Sequence, residues 1–437
     1  MAISVDPAQL DRDHLWHPFT QQRAWAGEEP LTIERAEGTD LIDSEGRRYI
    51  DGVSSLWCNV HGHRHAGIDE AVREQLDRVA HSTMLGLTHP GAAELAARLV
   101  ELAPPGLSRV FYSESGSTAT EIELKMAFQF QQQRGGQHAR RTSFAHLRQA
   151  YHGDTIGSVS VGGIDLFHAT YRPLLFPTHA AEPGDAVDLE RVLAAHEEEI
   201  AAVILEPLVQ GAAGMLVHPP GYLRDVRELC DRLGVLLICD EVATGFGRTG
   251  AMFACEQEEV APDLLCLAKG LTGGYLPLAA TLATERVYEG FLGAPEEGRT
   301  FFHGHTYTGN PLACAAALAS LDAFEQERTL ERLGPKIELL SELLEGVAAM
   351  AEVAEVRRCG TMVGIDLGEH DPALRLGHRA TLAARERGAI VRPLGDVIVL
   401  MPPLAISAVD LRRLVEIAAE AIEVACAAVS TPVVQAA

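Results

Sequence analysis

Two short apolar runs, each followed by a chemically active side chain, constrain the fold more than any other part of the sequence. The run from Val235 to Cys239 is followed by Asp240, and the run from Leu264 to Ala268 is followed by Lys269. This pattern predicts two parallel strands, and open α/β sheets bind their ligands at the carboxyl ends of such strands. The sequence therefore places an acid and an amine together at a binding site.

Lys269 is an unusual choice for this composition, because only three of the 36 basic residues are lysines. A primary amine can lose its proton when desolvated and form a Schiff base, which a guanidinium cannot do. Taken singly, an acid or an amine at a strand end is more often a cap or a surface charge. Together, Asp240 and Lys269 match pyridoxal phosphate, which uses a lysine for its aldehyde, a carboxylate for its ring nitrogen and an anion site for its phosphate.

A third apolar run, Ala201 to Leu205, ends at Glu206, and an amphipathic helix is predicted between it and Asp240, from Gly221 to Leu233. Alternation of strands and helices is typical of a mostly parallel sheet. Three strand ends that each carry a charge are hard to explain by capping alone.

A candidate phosphate site lies earlier in the chain. A short strand is predicted from Ser108 to Tyr112, and Ser113 to Glu121 opens a helix that runs to about Gln132. Gly116 and Ser117 at its start leave unpaired N–H groups that favour an anion. The alternative is a plain capping box, which Ser117 and Glu121 match only in part. Without a GK[ST] motif, the loop is not a Walker P-loop.

Three histidines occupy alternate positions, His61, His63 and His65, and form a candidate metal site. No carboxylate or cysteine cluster lies near them in the sequence, so polar loop residues beside a pocket are favoured, and no metal site is expected.

The two ends of the chain have sequence patterns that differ from those of its middle. Residues 31–53 alternate around a turn and predict a small antiparallel meander. From about Thr329, a Leu/Glu-rich helix and a mixture of strands predict an α+β domain. The predicted elements are a helix to Met350, strands at Val353 to Arg357, Met362 to Leu367 and Ile390 to Val399, and a last helix from Ala408 to Val429.

The net charge of −25 argues against nucleic acid or an anionic membrane as a partner. Eight cysteines without a CxxC spacing favour reduced core residues. With no signal segment and no run of 18 apolar residues, we expect a cytoplasmic protein.

The motifs DEVATGFGRTG, AKGLTGG, SESGS, YHGDT and HTYTGN resemble those of the class III aminotransferases of PLP fold type I. This resemblance implies an α/β fold, with a large domain around a mostly parallel seven-stranded sheet and a small α+β domain. The expected divisions are an N-terminal arm and small-domain part at 1–64, the large cofactor-binding domain at 65–325 and the C-terminal small domain at 326–437. It also implies a homodimer with shared active sites.

Within that family, LWHPFTQ, SSLWCNVHGH and RPLGDVIVLMPP resemble the branch that aminates 8-amino-7-oxononanoate to 7,8-diaminononanoate in biotin biosynthesis. The resemblance assigns catalytic roles to Lys269, which would bind the cofactor aldehyde, to Asp240, which would pair with its ring nitrogen, and to Tyr151, which would cover one face of the ring. The remaining implied contacts are Val242 on the other face, Gly116 and Ser117 with the phosphate, His305 and Thr306 with the phosphate of the neighbouring subunit, Arg392 with the substrate carboxylate, and Phe19, Leu56, Trp57 and Gly304 along the substrate pocket.

The amino donor is predicted from departures within that branch. Enzymes that use S-adenosylmethionine commonly have other residues at the positions of Phe19, Leu56, His305 and Val399. The residues present here resemble the group that uses L-lysine, so lysine is favoured over S-adenosylmethionine. Many class III relatives also carry an arginine at the position of Val399, where it clamps an α-carboxylate, and its absence favours the ω-amine of the donor.

Three other functions remain open from the sequence. A class III enzyme of another purpose, such as an ω-amine transaminase or an aminomutase, would keep Lys269 and Asp240. A non-catalytic binding protein would tolerate the loss of Lys269. A dinucleotide-binding oxidoreductase is disfavoured because no GxGxxG follows the early strands.

Overall fold

The N-terminal part of the chain is an arm followed by a small sheet. A computed structural model describes residues 6–430, so residues 1–5 and 431–437, at the ends of the predicted first and third domains, lie outside the described residues. The sheet is the antiparallel meander that was predicted for residues 31–53. The elements are α1 (Pro7–His14), α2 (Gln22–Trp25), β1 (Ile33–Glu37), β2 (Asp40–Asp43), β3 (Arg48–Asp51) and a single turn, α3 (Ser54–Trp57).

The middle of the chain forms a large sheet covered by helices. Its elements in order are α4 (Ala66–Arg78), α5 (Pro90–Leu102), β4 (Leu107–Ser113), α6 (Gly116–Arg134), β5 (Ser143–Leu147), α7 (Ile156–Ser160), α8 (Asp165–His168), β6 (Thr178–Ala181), α9 (Ala186–Ala195), β7 (Ile200–Leu205), β8 (Val209–Gln210), β9 (Leu216–Val217), α10 (Tyr222–Leu233), β10 (Leu236–Asp240), β11 (Leu264–Leu267), β12 (Ala279–Thr284), α11 (Glu285–Glu289) and α12 (Pro311–Gln326). Strands β5, β6 and β12 were not predicted from the sequence.

Seven of the strands within residues 6–430 form this sheet, in the order β4-β12-β11-β10-β7-β5-β6. Only β12 runs antiparallel to its neighbours, β11 and β4. Every residue of β7, β10 and β11 is buried. Continuous apolar strands are expected where helices cover both faces of a parallel sheet. These three central strands are the ones whose ends carry the charged residues.

The C-terminal part has an antiparallel sheet with the order β13-β14-β17-β16. The prediction of one strand from Ile390 to Val399 was wrong, because the chain turns at Gly395, whose φ is +60°, and forms three short strands. A helix at Leu376–Glu386 was also missed. The elements are α13 (Thr329–Ala348), β13 (Glu355–Cys359), β14 (Met362–Asp366), α14 (Leu376–Glu386), β15 (Ala389–Ile390), β16 (Arg392–Leu394), β17 (Val397–Leu400) and α15 (Ala408–Ser430).

The two chain ends meet in one sheet, because β15 pairs in parallel with β3 of the N-terminal meander. The predicted architecture, a mostly parallel seven-stranded sheet with a small α+β part, is confirmed. The residue boundaries proposed for the three domains remain a prediction. None of the eight cysteines, all of which lie within residues 6–430, forms a disulfide, and five of them are buried. None of the helices described is long and apolar enough to cross a membrane.

Candidate active site

The three charged strand ends meet at one edge of the large sheet. β10 lies between β7 and β11 and is parallel to both, with Asp240 opposite Cys266. Glu206 follows β7 directly, and Lys269 lies just beyond β11. A cavity of about 580 Å³ opens here and is lined by Glu206, Asp240 and Lys269. The structure therefore brings together the acid and the amine from which the prediction started.

Lys269 occupies the wall of this cavity in an uncommon conformation. Its φ of +42° lies in the left-handed region, where residues with a side chain are strained and often functional. Burial lowers the pKa of its ammonium, and the nearby carboxylates of Asp240 and Glu206 oppose that shift. Its Nζ lies 5.0 Å from the centre of the Trp57 ring. Burial thus favours the neutral amine, the form that can act as a nucleophile or a base.

Asp240 is held in place by two hydrogen bonds. Its Oδ1 accepts the backbone N–H of Val242 at 2.9 Å, and its Oδ2 lies 2.7 Å from Nδ1 of His152. Both acid and imidazole are buried, and the Nε2 of His152 has no partner among the described residues. No lysine or arginine of the described chain forms an ion pair with Asp240. The carboxylate is oriented but not neutralised by a permanent cation, so it can balance a protonated ring nitrogen.

The loop before α6 has the form of an anion site. A capping box is present, but Ser115 and Thr118 make it, and not Ser117 and Glu121, which match that pattern only in part. Capping by Ser115 leaves Gly116 and Ser117 in the first turn, whose N–H groups have no partner within the helix. Both residues line the cavity. A Cβ at Gly116 would lie 2.7 Å from Cγ1 of Val242, so only glycine allows this close approach.

Tyr151 and Val242, for which contacts with a cofactor ring were predicted, both line the cavity. The hydroxyl of Tyr151 donates to Oδ2 of Asp154 at 2.8 Å. Burial raises the pKa of this phenol above its usual value, so it remains a hydrogen-bond donor at neutral pH. Gly153 lies between Tyr151 and Asp154 in the sequence and has a φ of +123°. A Cβ at this position would lie 2.0 Å from Oγ of Ser117, so glycine is required there.

A left-handed turn carries two of the predicted pocket residues. The four residues of α3 all have positive φ angles, between 49° and 82°, although each such residue costs about 1–2 kcal/mol. The turn is tied down by Ser54, whose hydroxyl donates to the carbonyl of Met401 at 2.7 Å, and by Asp51, which accepts from the N–H and hydroxyl of Ser55. It places Leu56 and Trp57 in the cavity wall.

Two further predicted substrate residues lie outside the cavity wall. Phe19 is 58% exposed, and its ring contacts Phe167, which in turn contacts Tyr151. Arg392 is half-buried and interacts electrostatically with Tyr151. Its guanidinium forms no hydrogen bond or ion pair within residues 6–430, and burial lowers its pKa. Such an arginine is well suited to bind a carboxylate from a ligand.

The segment predicted to serve a neighbouring subunit does not line the cavity of its own chain. Gly304 and Thr306 are exposed. His305 is half-buried, and its Nε2 lies 2.6 Å from a carboxylate oxygen of Glu114, which does line the cavity. The segment therefore lies beside the cavity and presents Gly304 and Thr306 outward.

The three alternate histidines have separate structural partners. His61 contacts the hydroxyl of Ser320, His63 pairs with Asp51, and His65 pairs with Glu327. None of the three lines the cavity, and they do not form one of the possible metal-binding groups found among the described residues.

Sequence reasoning missed two residues of the site. It gave no role to His152, although this residue lies within the YHGDT motif. Glu206 was noted as a strand end without a function. In the structure Glu206 is buried in the cavity wall, and burial raises its pKa to about 7. A buried acid after a strand was the available signal, but the sequence could not show that only backbone N–H groups bind it.

Comparison with known proteins gives a consistent result. The family model of the class III aminotransferases matches residues 22–422. The adenosylmethionine-8-amino-7-oxononanoate aminotransferase of Nitratidesulfovibrio vulgaris is 60% identical over 430 residues, which cover 93% of this chain and 79% of that protein.

Solved structures of similar proteins cover almost the whole chain. The adenosylmethionine-8-amino-7-oxononanoate aminotransferase of Methanocaldococcus jannaschii has a TM-score of 0.93 at 44% identity, over 95% of this chain and 98% of that one. An amine transaminase from an uncultivated Pseudomonas species, solved in its PLP-bound form, has a TM-score of 0.87 at 38% identity, again over 95% and 98% of the two chains.

Proposed function

The chain belongs to the class III aminotransferases, enzymes of PLP fold type I that depend on pyridoxal phosphate, and from that premise we propose that it aminates 8-amino-7-oxononanoate to 7,8-diaminononanoate in biotin biosynthesis. The observation that carries the proposal is Arg392, a half-buried guanidinium that lacks an ion-pair partner in the described chain. It supports a substrate with a carboxylate far from the reacting ketone. The names of the similar proteins from N. vulgaris and M. jannaschii support the same substrate.

The residues of the cavity fit the cofactor. Gly116 and Ser117 would bind its phosphate with the N–H groups at the start of α6. Asp240 would balance the proton on the ring nitrogen, and Tyr151 and Val242 would contact the two ring faces. Lys269 would bind the aldehyde carbon. When bound, pyridoxal phosphate accepts the electron pair of the bond broken at the amine-bearing carbon.

Lys269 performs the proton transfers in this proposal. Desolvation favours its neutral form, so Nζ would move a proton from the carbon that bears the donor amine to the cofactor carbon in the first half-reaction, and from the cofactor carbon to the former ketone carbon in the second. The nearby carboxylates of Asp240 and Glu206 stabilise the ammonium formed at that moment. His152 keeps the Asp240 carboxylate in a fixed orientation throughout. The reaction is ping-pong, because donor and acceptor use the same cavity in turn.

We propose L-lysine as the amino donor, reacting through its ω-amine. Val399 is fully buried among apolar side chains, so no cation at this position can clamp an α-carboxylate. An α-carboxylate on the reacting carbon would share the cavity with the buried Glu206, which favours a donor carbon without one. The names of the similar proteins point to S-adenosylmethionine instead. The experiment must therefore distinguish L-lysine from S-adenosylmethionine.

We also propose a homodimer with shared sites. Gly304 and Thr306 are exposed and do not line their own cavity, which supports their delivery to the phosphate site of a second copy together with His305. The other proposed partners are small molecules, and the proposed location is the cytoplasm.

A two-step spectroscopic experiment tests the proposal. The purified enzyme with bound cofactor is mixed separately with L-lysine and with S-adenosylmethionine while the cofactor absorbance is followed. 8-amino-7-oxononanoate is then added, and the product is identified by mass spectrometry. We expect lysine to convert the cofactor to its amine form and the oxononanoate to restore it with release of 7,8-diaminononanoate.

The possible outcomes separate the parts of the proposal. Conversion by S-adenosylmethionine alone would overturn the choice of donor and keep the substrate. An amine form that reacts with simple ketones but not with the oxononanoate would overturn the substrate and favour an ω-amine transaminase, the activity of other proteins with this fold.

A further inference from the structure

Glu206 is an acid in the cavity wall that forms no ion pair within the described residues. It is 4% exposed and lies at the carboxyl end of β7. Its Oε1 accepts the N–H of Tyr151 at 3.3 Å, and its Oε2 accepts the N–H of Gly211 at 2.9 Å. It forms no ion pair with a lysine, arginine or histidine of the described residues. Two backbone N–H groups thus orient this carboxyl, and Lys269 interacts with it electrostatically without forming an ion pair.

The other acids around the cavity are already engaged. Asp240 is paired with His152 at 2.7 Å, and Glu114 lies 2.6 Å from His305. Asp154 accepts the hydroxyl of Tyr151. For a cationic ligand that enters the cavity, Glu206 is therefore a buried carboxyl that is bound by backbone N–H groups and by no side chain.

No arginine of the C-terminal sheet forms an ion pair with Glu206 within the described residues. The residue opposite Arg392 in the pairing of β16 with β17 is Val399, which is fully buried in an apolar cluster that also contains Trp57. The indole of Trp57 in turn lies against Gly211, since a Cβ on Gly211 would be 3.1 Å from Cζ3 of Trp57 and 3.6 Å from Oε2 of Glu206. Glu206 is thus enclosed by apolar side chains on this side.

The substrate named in the proposed function has two charges in the complementary arrangement. Its carboxylate lies at the end of the chain, far from the ketone, and its ammonium lies on the carbon next to the ketone. Arg392, which interacts with Tyr151 of the cavity, and Glu206, in the cavity wall, form no ion pair within the described residues. We propose that Glu206 binds the ammonium beside the reacting ketone and so selects α-amino ketones over simple ketones.

This inference rests on the proposed function and adds to it a residue that determines specificity. Burial raises the pKa of Glu206 to about 7, so an adjacent ammonium stabilises the carboxylate form that the cavity alone disfavours. A hydrogen bond to a charged group contributes enough to change kcat/KM by roughly 10- to 100-fold.

The experiment compares two ketones that differ in one group. The enzyme is converted to its pyridoxamine phosphate form, and recovery of the original absorbance is measured with 8-amino-7-oxononanoate and with 8-methyl-7-oxononanoate, in which a methyl group replaces the amino group. We expect the wild type to prefer the amino ketone by at least about 10-fold. Glu206→Gln should lose that preference by lowering kcat/KM for the amino ketone, with the methyl ketone unchanged.

A matched control is Glu258→Gln, because Glu258 is also buried and accepts two backbone N–H groups, those of Gly221 and Arg224, away from the cavity. Glu258→Gln should prefer the amino ketone over the methyl ketone to the same degree as the wild type. An equal fall in kcat/KM for both ketones in Glu206→Gln would show that Glu206 is a structural residue and overturn the proposal.

If Glu206→Gln does not retain the cofactor, the comparison of the two ketones in the wild type tests the proposal. Equal rates with the two ketones would overturn the role of Glu206 while leaving the proposed function intact, because the oxononanoate would still react. No reaction with 8-amino-7-oxononanoate, in an enzyme that reacts with other ketones, would overturn the proposed function and this inference together.

Discussion

The imidazole of His152 and the carboxylate of Asp240 form a buried pair, with Nδ1 and Oδ2 separated by 2.7 Å. A carboxylate can only accept, so the Nδ1–H of His152 donates to it. The second oxygen of Asp240 accepts from the backbone of Val242. These two bonds fix the direction in which the acid faces the cavity, and His152 is therefore a positioning residue for the proposed contact with the cofactor ring.

Removal of this bond should weaken the cofactor site. We expect His152→Ala to raise the dissociation constant of pyridoxal phosphate by roughly 10- to 100-fold, the range for a hydrogen bond to a charged group. His152→Asn keeps an N–H donor near the same place and should recover much of the affinity. Both are measured by titrating cofactor into the apoenzyme and following absorbance.

The control is His61→Asn, which changes a buried histidine that contacts Ser320 outside the cavity. It should bind the cofactor as the wild type does. If His152→Ala and His61→Asn bind pyridoxal phosphate with the same affinity, His152 has no positioning role for Asp240.

Replacement of Lys269 by arginine tests the need for a neutral amine. Lys269→Arg keeps the positive charge, but a guanidinium neither forms the covalent link nor loses its proton at neutral pH. We expect the donor half-reaction to slow by about 10²- to 10⁴-fold, the usual size of a proton-transfer contribution. Stopped-flow absorbance measures the rate, and borohydride reduction followed by mass spectrometry detects the covalent link.

Lys336 provides a matched lysine for comparison. Burial also lowers its pKa, and its Nζ donates to the carbonyl of Leu404 away from the cavity. Lys336→Arg should react at the wild-type rate and show the same covalent mass on Lys269. A fast half-reaction in Lys269→Arg would exclude Lys269 as the base.

The large sheet and the centre of the site could be predicted because strong local signals mark them. Apolar runs ended by Glu206, Asp240 and Lys269 predict buried parallel strands, and parallel strands bring their ends to one edge. The pairing of Asp240 with His152 could not be predicted in this way. It joins residues that are distant in sequence, and no local pattern marks such a contact.

The missed elements have physical reasons as well. β5, at Ser143–Leu147, contains serine and histidine among its buried residues, so its apolar pattern is weak. The left-handed turn at Ser54–Trp57 depends on bonds to Met401 and Asp51, and only tertiary contacts stabilise such backbone angles. The position of Arg392 likewise depends on the turn at Gly395, which shortens the strand that was expected there.

The raised pKa of Glu206 makes stability depend on pH. Its pKa is about 7 in the folded protein, above the ordinary value of 4.5, so the folded state holds a proton that the unfolded state has released between these values. The free energy of unfolding should therefore fall as pH rises from 4.5 to 7, by about 3 kcal/mol for this group. Glu206→Gln cannot titrate and should lack this contribution.

The measurement is urea unfolding of the wild type and Glu206→Gln at several pH values, compared as a difference so that other titrating groups cancel. The wild type should lose stability relative to the variant across this range and change little above it. A difference that is constant with pH would show that Glu206 ionises as it does in the unfolded chain.

The last prediction concerns donor choice at Leu56. This residue lines the cavity, is 47% exposed and has a φ of +82°, so a larger side chain has room toward solvent. An aromatic ring there can contact a sulfonium cation, which is worth roughly 0.5–2 kcal/mol. We expect Leu56→Trp to shift the ratio of kcat/KM values toward S-adenosylmethionine over L-lysine by about 3- to 30-fold. Leu382→Trp, a change on the outer part of α14 at a residue that is 37% exposed, serves as the control and should keep the wild-type ratio. An unchanged ratio in Leu56→Trp would remove Leu56 from the determinants of the donor, and the proposal of lysine would then rest on Val399 and Glu206 alone.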